Sequence, residues 1–186
     1  MLSSGRRIRT AGLCGFVSLV VVAITAGCYT SLPADEPLPL MVERRVDGSF
    51  AITFRVCPGE ALTAAGVEAK TRGGSQTLVQ GDPKVPVADA SDLTMVLSDA
   101  TLSSGEMIPS LPLLKEWATL PVPRVGDLTL VSIHTSGHIA QVDPRDFGDA
   151  AGPWLVTHAP GHFGENTVKE VDASVARAAV GATCLN

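Results

Sequence analysis

Four histidines stand in two pairs, His134/His138 and His158/His162, and come nearest of any side chains here to a reactive centre. Neutral imidazole binds zinc and copper, and three converging nitrogens make the set those ions favour. Along one straight strand, residues four apart stand about 13 Å apart and cannot share an ion. A hairpin folded about Thr135-Ser136-Gly137 changes that, because it sets His134 opposite His138 with Cβ atoms about 5 Å apart. His158 or His162 would then supply a third ligand. The competing reading is plainer: one pair flanks an exposed loop tip and the other lines the Ala159-Pro160-Gly161 turn. Nothing in the sequence brings the two pairs together, so no metal ligand and no cofactor is assigned.

Other chemistry is weaker. Neither G-x-S-x-G nor S-x-x-K occurs, and Ser136-Gly137-His138 is adjacency in sequence, which is not triad geometry. Asp143 and Asp146 flank Pro144-Arg145 and could be paired carboxylates, but an Asp-Pro turn accounts for them better. Gly73-Gly74 lacks the Lys-Ser/Thr that a phosphate loop needs. Trp117 and Trp154 could form a binding platform, with core packing as the default. No catalytic residue is assigned, and the balance favours a protein that binds or builds over an enzyme.

The elements that would position these residues are mostly strands. Ser49 to Val56 alternates, with Phe50, Ile52, Phe54 and Val56 on one face, between Asp47-Gly48 and Pro58-Gly59. Val67–Thr71 and Gln76–Val79 flank the Arg72-Gly73-Gly74-Ser75 turn, and Leu93, Met95 and Leu97 mark a further strand after a loop from Gln80 to Ser91. Pro109, Pro112, Pro121 and Pro123 forbid a long element between Thr101 and Gly126, although Leu113 to Thr119 suits a helical turn that carries Trp117 inward. Asp127–His134 and His138–Val142 form a hairpin with Gly137 left-handed in its three-residue loop, and Trp154–His158 is one more strand. Thr167-Val168-Lys169-Glu170 has the spacing of a capping box, which predicts a C-terminal helix ended by Gly181, with a strand from Ser174 to Val180 as the competing reading. Short strands separated by turn signals predict a mostly β chain: an antiparallel β-sandwich with a short C-terminal helix. Immunoglobulin-like layering stays open, although the cysteines lie too far apart for a true immunoglobulin domain.

The N-terminus has its own signature. Arg6, Arg7 and Arg9 precede an uncharged stretch from Thr10 to Gly27 that closes on Ile24-Thr25-Ala26-Gly27-Cys28. That order of basic start, short apolar run and small residues describes an export signal. An uncleaved span needs about 20 apolar residues, more than this run holds. Cleavage after Gly27 by ordinary signal peptidase would release a soluble product. The stretch also resembles the lipobox of bacterial lipoproteins: Ala26 and Gly27 fit the small positions, Cys28 fits the lipidated cysteine, and Thr25 stands where leucine is usual. The resemblance implies cleavage before Cys28 and a thioether-linked lipid upon it.

On that reading residues 1–27 are the signal peptide, 28–41 the lipidated cysteine with a tether bearing Pro33, Pro37 and Pro39, and 42–186 a single β-sandwich domain. Leu38, Leu40 and Val42 could already pair with the domain as a first, irregular strand. Removing 27 of the 186 residues leaves 159, and the loss of three arginines takes the net charge from −5 to −8. An acidic body argues against nucleic acid and against a basic patch gripping anionic lipid, so the membrane would be reached through the lipid anchor. With Cys14 in the signal and Cys28 lipidated, Cys57 and Cys184 remain and predict one disulfide in an oxidising compartment. Phe54-Arg55-Val56-Cys57-Pro58-Gly59-Glu60 and the near-terminal cysteine are similar to small actinobacterial envelope lipoproteins, which implies an outward-facing domain at the cell membrane and transfers no catalytic residue. The expected role is a binding or structural module of the envelope, with an envelope protein as a candidate partner. The alternative is a metal-handling protein or metal-dependent enzyme using His134/His138 with His158 or His162.

Overall fold

The computed structural model describes residues 36–147, 151–158 and 166–185; Cys28 and His162 lie outside them. The expected mostly β architecture is present as two packed sheets. One runs β1-β9-β8-β4-β5-β7 and the other β11-β10-β2-β3-β6. Their strands are β1 (Glu36–Pro37), β2 (Leu40–Arg44), β3 (Phe50–Val56), β4 (Leu62–Thr71), β5 (Gly74–Gln80), β6 (Ser91–Leu97), β7 (Leu113–Lys115), β8 (Leu128–Thr135), β9 (His138–Val142), β10 (Trp154–His158) and β11 (Asn166–Glu170). Every pairing is antiparallel except that of β1 with β9. Among the described residues, no helix is long and apolar enough to cross a membrane.

The core follows from alternation. Phe50, Ile52, Phe54 and Val56 of β3 face inward with Met95 and Leu97 of β6, and Val67, Leu78, Val131, Ile133 and Val142 come from the other sheet. Burying side chains of this size stabilises the fold by roughly 1.5–3 kcal/mol each before entropy is counted. β2 does not alternate: Leu40, Met41 and Val42 are all buried. Its outer face is covered by the C-terminal helix, whose Ala176 and Val180 pack on Met41. Leu38 is also buried, so the folded part reaches back into the stretch that composition assigns to the tether.

Three expectations change. Thr167–Glu170 is not a helical cap but part of β11, paired residue for residue with β10 from Trp154↔Glu170 to His158↔Asn166. The edge of β10 offers backbone partners along this whole segment, and that outweighs a local capping signal. The helix starts later, as Ala173–Gly181, with Asp172 at its N-cap. Leu113–Lys115 is not a helical turn but β7, which pairs with Val79 and Gln80 on the edge of β5. A short helix, α1 (Asp99–Ser104), also stands at the start of the proline-rich stretch. Ser98 caps it by accepting from the Thr101 N–H while Thr101 Oγ1 accepts from the Ser98 N–H, and left-handed Gly105 ends it. The C-terminal helix is α2 below.

Candidate functional site

A densely bonded corner of the molecule begins where β3 ends. Cys57-Pro58-Gly59-Glu60 turns back with Gly59 at φ 82° and the Glu60 N–H donating to Cys57 O at 3.0 Å, a turn that needs glycine at its third position. Glu60 Oε2 accepts from the Cys57 N–H at 3.2 Å and from the Thr135 hydroxyl at 3.1 Å. Glu60 Oε1 lies 2.8 Å from His138 Nδ1, with the two side chains 14% and 10% exposed. A carboxylate this enclosed is tolerable because its oxygens have three partners.

Thr135 is the hinge of this network. Its Oγ1 donates to Glu60 and accepts from the N–H groups of Gly137 at 3.2 Å and His138 at 2.9 Å. These bonds close the β8–β9 hairpin over Ser136-Gly137 alone, one residue shorter than the spacing suggests. Gly137 is not left-handed here. Its missing side chain matters for another reason: a Cβ would stand 2.1 Å from Glu60 Oε1.

The shorter loop separates the first histidine pair. His134 stands across from Ile139, so His134 and His138 project from opposite faces of the hairpin. His138 points inward, beside the buried Thr135 and Ala140. His158 is elsewhere, with Nε2 against the Gln141 backbone, 3.1 Å from its N and 3.0 Å from its O. The structure therefore does not bring His134, His138 and His158 together. Asp143 and Asp146 belong to a capped turn: Asp143 accepts from the Arg145 N–H at 2.9 Å and from its guanidinium, which holds the Asp143 carboxyl below the usual carboxylate range. Trp154 is core, its ring centroid 5.3 Å from that of Phe147. Trp117 is half-buried and donates its Nε1–H to Leu102 O at 3.0 Å.

His138 lies close to the disulfide. Cys57 and Cys184 are bonded, with Cα atoms 5.4 Å apart across a sequence separation of 127. Arg55, two residues earlier on the same face of β3, donates through Nη1 to Gly181 O at 2.8 Å at the end of α2. That contact places a cation at the negative end of the helix. Asp92 steadies it with bonds of 2.6 and 3.1 Å, and this hydrogen bonding pushes the Arg55 guanidinium pKa up. Donor atoms of Cys57, Glu60 and His138 all lie within 4.8 Å of one another. Sulfur, carboxylate and imidazole thus converge on one point. Glu60 was missed in the sequence because its partners are distant in the chain, although Cys57-Pro58-Gly59-Glu60 already showed a carboxylate turned back toward a cysteine.

Fold and corner together define a class: a mostly antiparallel β-sandwich whose last helical turn is cross-linked beside a part-buried carboxylate–imidazole pair. No protein-family model, curated protein or solved structure matches the chain.

Proposed function

We propose that this protein is a lipid-anchored module on the outer face of a bacterial cell membrane, with a binding or structural role in the envelope. The observation that carries the reading is the Cys57–Cys184 bond. It suits an oxidising compartment, and it leaves Cys28 at the end of the export-like stretch as the one cysteine outside both that stretch and the disulfide. An acidic domain has no electrostatic hold on anionic lipid, so a covalent lipid on Cys28 is the means of attachment.

The binding role draws support from the strap between Gly105 and Val122. Leu113 and Leu114 on edge strand β7 are exposed, as is Leu120 at 85%. Exposed apolar side chains beside an open strand edge suit contact with another envelope protein.

Cys28→Ala, expressed in a bacterial host, tests the anchor. The variant is expected to leave the membrane fraction for the medium or to accumulate uncleaved, and to lose incorporation of a clickable palmitate label. Normal processing with unchanged detergent partitioning would sink the reading.

A further inference from the structure

The Cys57 corner holds more than a cross-link requires. Its potential donors are a cysteine sulfur, an imidazole and a carboxylate within 4.8 Å of one another, and the second sulfur, that of Cys184, is bonded to the first. These are the ligand types of four-coordinate zinc, and two sulfurs with one nitrogen and one oxygen make a closed set of structural type. Orientation is already provided, since the Cys57 N–H and the Thr135 hydroxyl hold one Glu60 oxygen while the other faces His138. Such outer bonds fix ligands in metal sites.

We propose that the corner is a redox-gated site for zinc or a similar thiolate-preferring divalent cation, formed by Cys57, Cys184, His138 and Glu60 when the disulfide is reduced. A dithiol delivers two electrons and two protons: the S–S bond breaks, both cysteines become thiols, and the dithiol closes to its own disulfide. Binding of the cation then displaces the two thiol protons to solvent. The oxidised and metal-bound forms exclude each other, because sulfurs bonded together are not thiolates.

The fold keeps the fourth ligand near after the bond is cut. Arg55 holds Gly181 O at 2.8 Å, three residues before Cys184, and α2 packs on Met41 through Ala176 and Val180, contacts that do not run through the disulfide. Cys184 itself lies in a terminal turn, Ala182–Cys184, followed by exposed Leu185, so it has room to withdraw from Cys57 to metal-binding distance. On the other side, a tetrahedral ion with ligand bonds of about 2.0–2.3 Å sets its donors roughly 3.3–3.7 Å apart. The Cys57 sulfur therefore moves in by up to about 1 Å while His138 Nδ1 and Glu60 Oε1, 2.8 Å apart, separate slightly, which side-chain rotation supplies. The site is independent of the lipid anchor and would exist equally in a secreted form.

Cobalt titration of the detergent-extracted full chain tests the proposal, with the dithiol removed under inert gas. The reduced protein should bind one cobalt per chain with a thiolate-to-metal charge-transfer band that zinc abolishes, and the oxidised protein should show no band. His138→Gln and Glu60→Gln should each weaken binding at least tenfold. Cys184→Ser frees Cys57 without reductant and should give a weaker, single-thiolate band, which keeps the test valid if reduction unfolds the chain. Absence of a band from both the reduced protein and Cys184→Ser would overturn the site, as would affinity undiminished from that of the unsubstituted protein in both His138→Gln and Glu60→Gln.

Discussion

The corner around Cys57 and the strap along β5 hold irregular chain against the same sandwich by opposite means. At the corner, residues far apart in sequence meet through a covalent bond and a charged side chain: Glu60 reaches Thr135 and His138, and Cys57 reaches Cys184. Along the strap, prolines deprive the chain of donors, and glutamines on one strand replace the missing ladder. Gln80, only 1% exposed, accepts from the Ile108 N–H at 2.8 Å and donates to Ile108 O and Leu111 O at 3.3 and 3.0 Å. Gln76 accepts from the Thr119 N–H at 3.1 Å. The difference is in what failure does. Cutting the corner loosens the unfolded chain as well as the folded one, whereas losing a glutamine strands buried backbone groups.

That contrast can be broken or sharpened by measurement. Reduction of the disulfide should have the largest effect, about 4–5 kcal/mol for so long a loop in the chain-entropy model. Urea unfolding of oxidised and reduced protein reads it directly. Gln80→Leu comes next at about 2–3 kcal/mol, because the Ile108 N–H loses its partner in the interior. Faster amide exchange at Ile108, with Thr135 and His138 unaffected, would confirm that strap and corner fail separately. An effect of Gln80→Leu larger than that of reduction would reverse the ranking.

Gly137→Ala should be the mildest, about 1–2 kcal/mol, as the new methyl forces Glu60 aside. In a Glu60→Ala background the same change should cost almost nothing, and a double-mutant cycle on unfolding midpoints measures that coupling. Equal costs in both backgrounds would mean that Gly137 is needed for its backbone alone.

Much of the sandwich was legible because its signals are local. β3, β9 and β10 follow alternation and flanking turns, and Trp154–His158 stands with the ends the sequence suggests. The tail misled because Thr167–Glu170 satisfies a capping rule within four residues, while the competing edge of β10 is a partner no local window sees. α1 spans six residues and shows no period, although Ser98 and Gly105 bracket it. The site was the hardest part. A loop one residue shorter than expected turned His134 away from His138, since side chains alternate faces along a strand.

By itself, then, the sequence determined the strands whose alternation and flanking turns are local, β3, β6, β9 and β10 among them, and the pairing of Cys57 with Cys184. Periodicity, glycine and proline placement, and an even cysteine count act locally or by number. Tertiary structure alone decided which polar groups share the corner. Glu60 and His138 are 78 residues apart, and only the pairing of β4 with β8, which sets Leu62 opposite Thr135, together with the β8–β9 hairpin brings carboxylate and imidazole to 2.8 Å. No pattern along one strand encodes that distance, because it depends on the registers of several strands at once.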